Sequence, residues 1–106
     1  MAAIDTRDIE RQVAQLAATL FAQFSQTAIS DGKAFLAEVQ GDLIEATEEH
    51  ARGEITDLEF QEAKKDLRAE AKMEKLKQEG LAQVSLDKFT AGIIDLVTTA
   101  ALAAIK

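Results

Sequence analysis

The chain has 106 residues, a length that fits a single domain covering residues 1–106. It has no cysteine and one histidine, which excludes disulfide scaffolds, thiolate zinc sites and most histidine-based catalysis. Its 19 acidic and 12 basic residues give a net charge of -7, the wrong sign for a nucleic-acid-binding protein. Abundant Ala, Glu, Gln, Lys and Leu, with no proline, predict an all-α protein.

The first predicted element is a long helix. Asp5 is a suitable N-cap, and Ile4 and Ile9 on either side of it can contact each other across the cap. Apolar residues then recur at steps of three and four, and the same spacing resumes after a gap, which places two runs on the inward helix face: Ile9, Val13, Leu16, Leu20 and Phe24, then Phe35, Val39, Leu43 and Ala46. Since no proline interrupts this pattern, we expect one helix over residues 5–52, about 70 Å long, with any kink near Gly32.

Two shorter helices are predicted after it, over residues 56–79 and 85–105. Each begins at a hydroxyl residue suited to N-capping, Thr56 and Ser85, and the first also has the glutamate that completes a capping box. Gly53 and Gly80 lie shortly before these starts, where a left-handed residue commonly ends the preceding helix. The two helices would be about 36 Å and 31 Å long, so together they match the first helix.

These lengths predict an antiparallel helical hairpin, in which one long N-terminal helix packs against two shorter helices. The alternative is a compact four-helix up-down bundle, with the first helix broken at residues 30–32. Residues 1–5 lack the basic segment and apolar core of a signal peptide, so we expect a cytoplasmic protein.

The two ends of the chain are poor in charge. Residues 12–30 have no charged side chain, and residues 89–105 have only Asp95. If the chain doubles back at Gly53, these ends become neighbours and form an apolar pole that the helices cannot fully bury. We therefore expect a homo-oligomer with seven interface residues: Leu16, Leu20, Phe24, Phe89, Ile93, Ile94 and Val97.

Another side of the first helix has an uncharged polar stripe. It is either ordinary surface or part of a subunit contact, where amides can be buried at lower cost than ions. The stripe consists of Gln12, Gln15, Thr19, Gln23, Gln26 and Ser30.

Charged residues of the second predicted helix form two columns at steps of four. The basic column should pair with acids of the first helix, namely Lys64 with Glu45, Arg68 with Asp42 and Lys72 with Glu38. The acidic column should face outward, toward a basic partner or solvent: Glu62, Asp66, Glu70 and Glu74.

Motifs for catalysis or cofactor binding were not found. There is no glycine-rich phosphate loop and no nucleophile with a base at useful spacing. The Glu-x-x-His pattern of di-iron bundles is not matched by the nearest cluster of candidate ligands, which consists of Glu45, Glu48, Glu49 and His50. We expect no enzyme activity, cofactor or metal, and we expect His50 to contact the free carbonyls at the end of the first helix.

The favoured function is therefore a structural or protein–protein interaction protein. It would be an acidic, elongated helical rod that self-associates through its apolar pole as an assembly subunit, adaptor or scaffold. One alternative is a membrane-active or pore-forming component that inserts residues 89–105, although membrane contact is not favoured. The other is an acidic inhibitor that presents its outward column to a basic partner site.

Overall fold

A computed structural model describes residues 6–105, which fold into five α-helices. They are α1 (Thr6–Leu20), α2 (Ser25–Ala51), α3 (Asp57–Ala69), α4 (Glu74–Gln78) and α5 (Gln83–Ile105). No strand occurs in this part of the chain, so the all-α prediction is confirmed. The radius of gyration is 13.9 Å and the longest dimension is 42 Å. The predicted rod of about 70 Å is therefore wrong.

The predicted long helix is broken at Phe21. This residue has a φ of -134° and a ψ of 52°, outside the helical range, and a short 3-10 turn, Ala22–Phe24, then leads into α2. The Phe21 ring meets the Phe89 ring edge to face, with centroids 5.3 Å apart. Burial of Phe21 and of the apolar face of α1 outweighs the local preference for a continuous helix. The predicted cap at Asp5 lies outside the described residues.

Three helices come together at Gly32, which lies inside α2 and neither caps nor breaks it. A Cβ at this position would be 2.7 Å from Cζ of Phe89 in α5 and 2.9 Å from Cγ1 of Val13 in α1. Both side chains are fully buried, so neither can move without displacing its neighbours. The absence of a side chain at Gly32 is therefore what allows α1 and α5 to approach α2 this closely.

The start of α3 matches its prediction, but its end does not. The Thr56 hydroxyl accepts a hydrogen bond from the Glu59 amide, and the Glu59 carboxylate accepts one from the Thr56 amide, forming the expected capping box. The helix ends at Ala69, ten residues before the predicted end. Met73 follows with a φ of 45°, the only positive φ of a non-glycine residue in the described part of the chain.

The last helix, α5, supplies a large part of the core. It begins at Gln83, and the amides of Ser85 and Leu86 donate to the Ala82 carbonyl, so the predicted cap at Ser85 is wrong. Gly80 has the expected positive φ, 79°. Phe21 from the first charge-poor end contacts Phe89 from the last, so the predicted approach of the two ends is confirmed at this point. The buried face of α5 consists of Leu86, Phe89, Thr90, Ile93, Ile94, Val97, Thr98 and Ala101.

Two glycines of α2 give a matched test of this fold. Gly32→Ala should lower the free energy of unfolding by about 1–3 kcal/mol, because the new methyl group overlaps Phe89 and Val13. Gly41→Ala should raise it by about 0.4–1 kcal/mol, because a Cβ at this exposed helix position has no atom within 4 Å. Urea unfolding followed by circular dichroism measures both values. Similar effects of the two substitutions would contradict the close approach at Gly32.

Candidate functional site

Four of the seven residues predicted at the oligomer interface lie in the protein's own core. Phe89, Ile93 and Val97 are 0% exposed, and Ile94 is 4% exposed. In this fold they cannot contact a second copy, so the prediction is wrong for these four positions. The prediction assumed that one long helix packs against residues 85–105. Because the chain breaks at Phe21, both α1 and α2 pack against α5 instead.

The other three predicted interface residues, Leu16, Leu20 and Phe24, are half-buried at the surface. Leu16 packs over Gly92 of α5, where a Cβ would come within 2.5 Å of the leucine Cδ2. Leu16 belongs to residues 12–29, which have no charged side chain, and residues 96–105 at the end of α5 have none either. We call the solvent-accessible part of these two segments the uncharged surface.

The predicted polar stripe is divided among different environments. At one end the Gln12 amide donates to the Asp8 carboxylate at 2.9 Å, and at the other the Ser30 hydroxyl accepts from Lys75 at 3.0 Å. The 3-10 turn interrupts the helical spacing between them. In the middle of the stripe, Gln15 and Gln23 stay exposed and add uncharged hydrogen-bonding groups to the uncharged surface.

The predicted acidic column does not exist as one column. Glu62 and Asp66 lie on α3, but that helix ends at Ala69, Glu70 is its C-cap, and Glu74 begins α4. All four carboxylates are exposed. Because the chain changes direction after Ala69, the four carboxylates do not form the continuous outward face that was predicted to bind a basic partner.

The predicted charge pairs between the first and second helices do not form as salt bridges. The structure places the Lys64 ammonium 4.8 Å from the centroid of the Phe60 ring. Glu38 and Lys72 both line the same two surface cavities without forming a salt bridge. Since exposed pairs contribute little, their absence costs little stability.

The α2–α3 corner is held by local contacts. His50 stacks on Phe60 with ring centroids 4.5 Å apart, and its Nε2 lies 2.5 Å from Oδ1 of Asp57. The prediction that its side chain contacts helix-end carbonyls is therefore wrong. Arg52 donates two hydrogen bonds to the Glu54 carboxylate, at 3.0 Å and 3.1 Å. These bonds lower the pKa of Glu54 and raise the pKa of Arg52.

The lowered pKa of Glu54 makes the stability of the fold depend slightly on pH. A lowered folded-state pKa means that the carboxylate stabilises the fold above its unfolded-state pKa, and that this contribution is lost as the pH falls through the folded-state pKa. Both side chains are exposed, so solvent screens the pair. Among the described residues, no group of three or more His, Cys, Asp or Glu could hold a metal ion. The corner thus has the features of a structural turn.

No protein-family model, curated protein or solved structure matches this chain. Function is therefore inferred from its own residues and geometry.

Sequence reasoning missed Leu102, which is 39% exposed and belongs to the uncharged surface. The periodicity of residues 89–105 could not show this exposure, because these residues are apolar nearly all around the helix.

Two substitutions in α5 test this placement. Ile94→Glu should unfold the protein, because it would bury a carboxylate inside the core without a partner. Leu102→Glu in the same helix should change the melting temperature by no more than about 4 °C, because the new side chain reaches solvent. Thermal unfolding of dilute protein, followed by circular dichroism, distinguishes them. Wild-type melting of Ile94→Glu would mean that Ile94 is not in the core.

Proposed function

We propose that this protein is a non-enzymatic interaction protein that self-associates through the uncharged surface, as an assembly subunit, adaptor or scaffold. One observation carries the proposal. Although 29% of the residues are charged, residues 12–29 and 96–105 contain none, and they leave Leu16, Leu20, Phe24 and Leu102 partly accessible to solvent.

The physical chemistry of this surface favours burial. The buried centres of protein interfaces are depleted in charged residues, since an ion loses its hydration there. Covering the leucine and phenylalanine side chains removes apolar area from water, which stabilises a complex by about 25 cal/mol per Å². The exposed glutamine amides can hydrogen-bond across such an interface at lower desolvation cost than carboxylates or ammonium groups.

A second copy of the chain is the partner that the charge distribution favours. Each copy has a net charge of -7, so contacts through its acidic faces are repulsive. A two-fold arrangement places the same surface of both copies in contact. Because the uncharged surface brings no acidic residue of its own into that contact, it allows association with the least repulsion.

A lysine scan of exposed alanines tests the proposal. Ala18→Lys places a cation on the uncharged surface, whereas Ala37→Lys places one on the charged part of α2. Each change moves the net charge from -7 to -6, so general repulsion between copies falls equally in both variants. Ala18→Lys should weaken self-association at least about 30-fold, the equivalent of about 2 kcal/mol, and Ala37→Lys should not weaken it.

Sedimentation equilibrium over a range of protein concentrations measures both constants, and circular dichroism confirms that each variant is folded. Wild-type protein that stays monomeric at the highest concentration would contradict the proposal. Equal weakening by the two lysines would assign the contact to a different surface.

Membrane insertion of α5 is the second candidate function. Of the helices in the described chain, this one is long and apolar enough to cross a bilayer, and 39% of its most apolar stretch is buried inside the fold. Insertion would require α5 to leave the core, at the cost of its contacts with α1 and α2. We expect the protein to stay in the aqueous fraction when anionic phosphatidylglycerol vesicles are floated on a density gradient. Co-flotation with the vesicles would support insertion.

A further inference from the structure

Residues 70–82 connect α3 to α5 and include the short helix α4; we call this segment the strap. We propose that the strap opens as a unit while the rest of the fold stays intact, and that Asp31 is the latch that holds it closed. This inference does not depend on self-association, because the strap lies outside the uncharged surface.

The latch is a hydrogen bond between distant parts of the sequence. The Asp31 carboxylate of α2 accepts from the Leu76 amide at 2.8 Å. Leu76 is the third residue of α4, and an amide at that position has no acceptor within its own helix. The residue at the N-cap, Met73, provides no side-chain hydrogen bond, so Asp31 does the work of an N-cap from another helix.

A second link lies beside the first. The Lys75 ammonium donates to the Ser30 hydroxyl at 3.0 Å. Residues 30 and 31 thus hydrogen-bond to the strap, and the neighbouring Gly32 packs against Phe89. Residues 30–32, where the alternative fold would have broken the first helix, therefore lie within α2 and contact the strap and α5.

The strap has little stability of its own. Its helix has five residues, which is too short to persist without tertiary contacts. Met73 adopts a left-handed φ of 45°, a conformation that is unfavourable for a residue with a Cβ. The strap is anchored to the core by Met73 and Leu76, which are 5% and 0% exposed, and by the half-buried Ala71 and Leu81.

Unfilled space adjoins the strap on two sides. A cavity of about 160 Å³ lies between Met73 and α2, near Phe35. Another, of about 150 Å³, separates the strap from the ends of α3 and α5, near Leu86. Side chains that border cavities have fewer contacts to lose when a segment moves away. Gly80, with a φ of 79°, provides a turn where the strap joins α5.

These features place the strap among the segments of low local stability, which open without global unfolding. The hydrogen bond from the Leu76 amide to the Asp31 carboxylate then determines how often the strap opens. An open strap exposes Phe35 and Leu86 to solvent, while the contacts among α1, α2 and α5 around Gly32 stay in place.

Hydrogen exchange of the full-length protein, followed amide by amide with NMR, tests the proposal. In the wild type, the amides of residues 76–80 should exchange at least about tenfold faster than those of the buried face of α5. Asp31→Ala should accelerate exchange in the strap by about 5- to 30-fold, which corresponds to the loss of one helix cap. Exchange in the core of α5 should not change. Asp42→Ala removes an exposed carboxylate from the same helix and should leave the strap unaffected.

Two results would overturn the proposal. The first is equal exchange in the strap and the α5 core of the wild type, since the strap would then open only when the protein unfolds. The second is an Asp31→Ala protein that exchanges no faster in the strap than the wild type. Asp31→Asn keeps one acceptor oxygen and provides a milder variant, for which we expect a smaller acceleration confined to the strap.

Discussion

Three helices, α1, α2 and α5, meet at Gly32, and the arrangement of the core follows from this close approach. Phe89 of α5 and Val13 of α1 occupy the space that a side chain at this position would need. Phe21 then sets the edge of its ring against Phe89 at the point where α1 ends. This cluster therefore determines where the chain first reverses and which face of α5 enters the core. A continuous first helix would leave Phe21 without its buried partner.

The same constraint determines what remains outside. Once α1 and α2 pack against α5, the protein's own core contains four residues that were predicted at an interface: Phe89, Ile93, Ile94 and Val97. The charge-poor segments keep an accessible side that contains glutamines, alanines and half-buried leucines. The acidic and basic residues cover the other surfaces. The self-association that we propose for the uncharged surface and the opening that we propose for the strap therefore involve two different parts of one small fold.

Some local signals in the sequence predicted local structure correctly, although the cap predicted at Ser85 is wrong. The capping box of Thr56 and Glu59 and the turns at Gly53 and Gly80 follow from hydrogen bonds and φ preferences within a few residues. The break at Phe21 could not be predicted in this way, because it depends on a ring far away in the sequence. The start of α4 likewise could not be predicted locally, because the Leu76 amide is capped by Asp31 of α2.

The candidate site was predictable in composition and not in geometry. The lack of charge in residues 12–30 was visible in the sequence, and Leu16, Leu20 and Phe24 do remain near solvent. The orientation of α5 was not visible, since its residues are apolar nearly all around and give no preferred face. The sequence consequently assigned core residues to an interface. Exposure of Leu102 emerged only from the three-dimensional arrangement.

A double-mutant cycle on Gly32 and Phe89 tests the close approach most directly. Gly32→Ala, Phe89→Leu and the combined variant are unfolded in urea, and the four free energies of unfolding are compared. Since leucine lacks the ring atom that blocks a methyl group at position 32, the alanine should cost at least about 1 kcal/mol less in the Phe89→Leu protein than in the wild type. Purely additive effects of the two substitutions would show that Phe89 does not pack on Gly32, and the fold described above would be wrong at its centre.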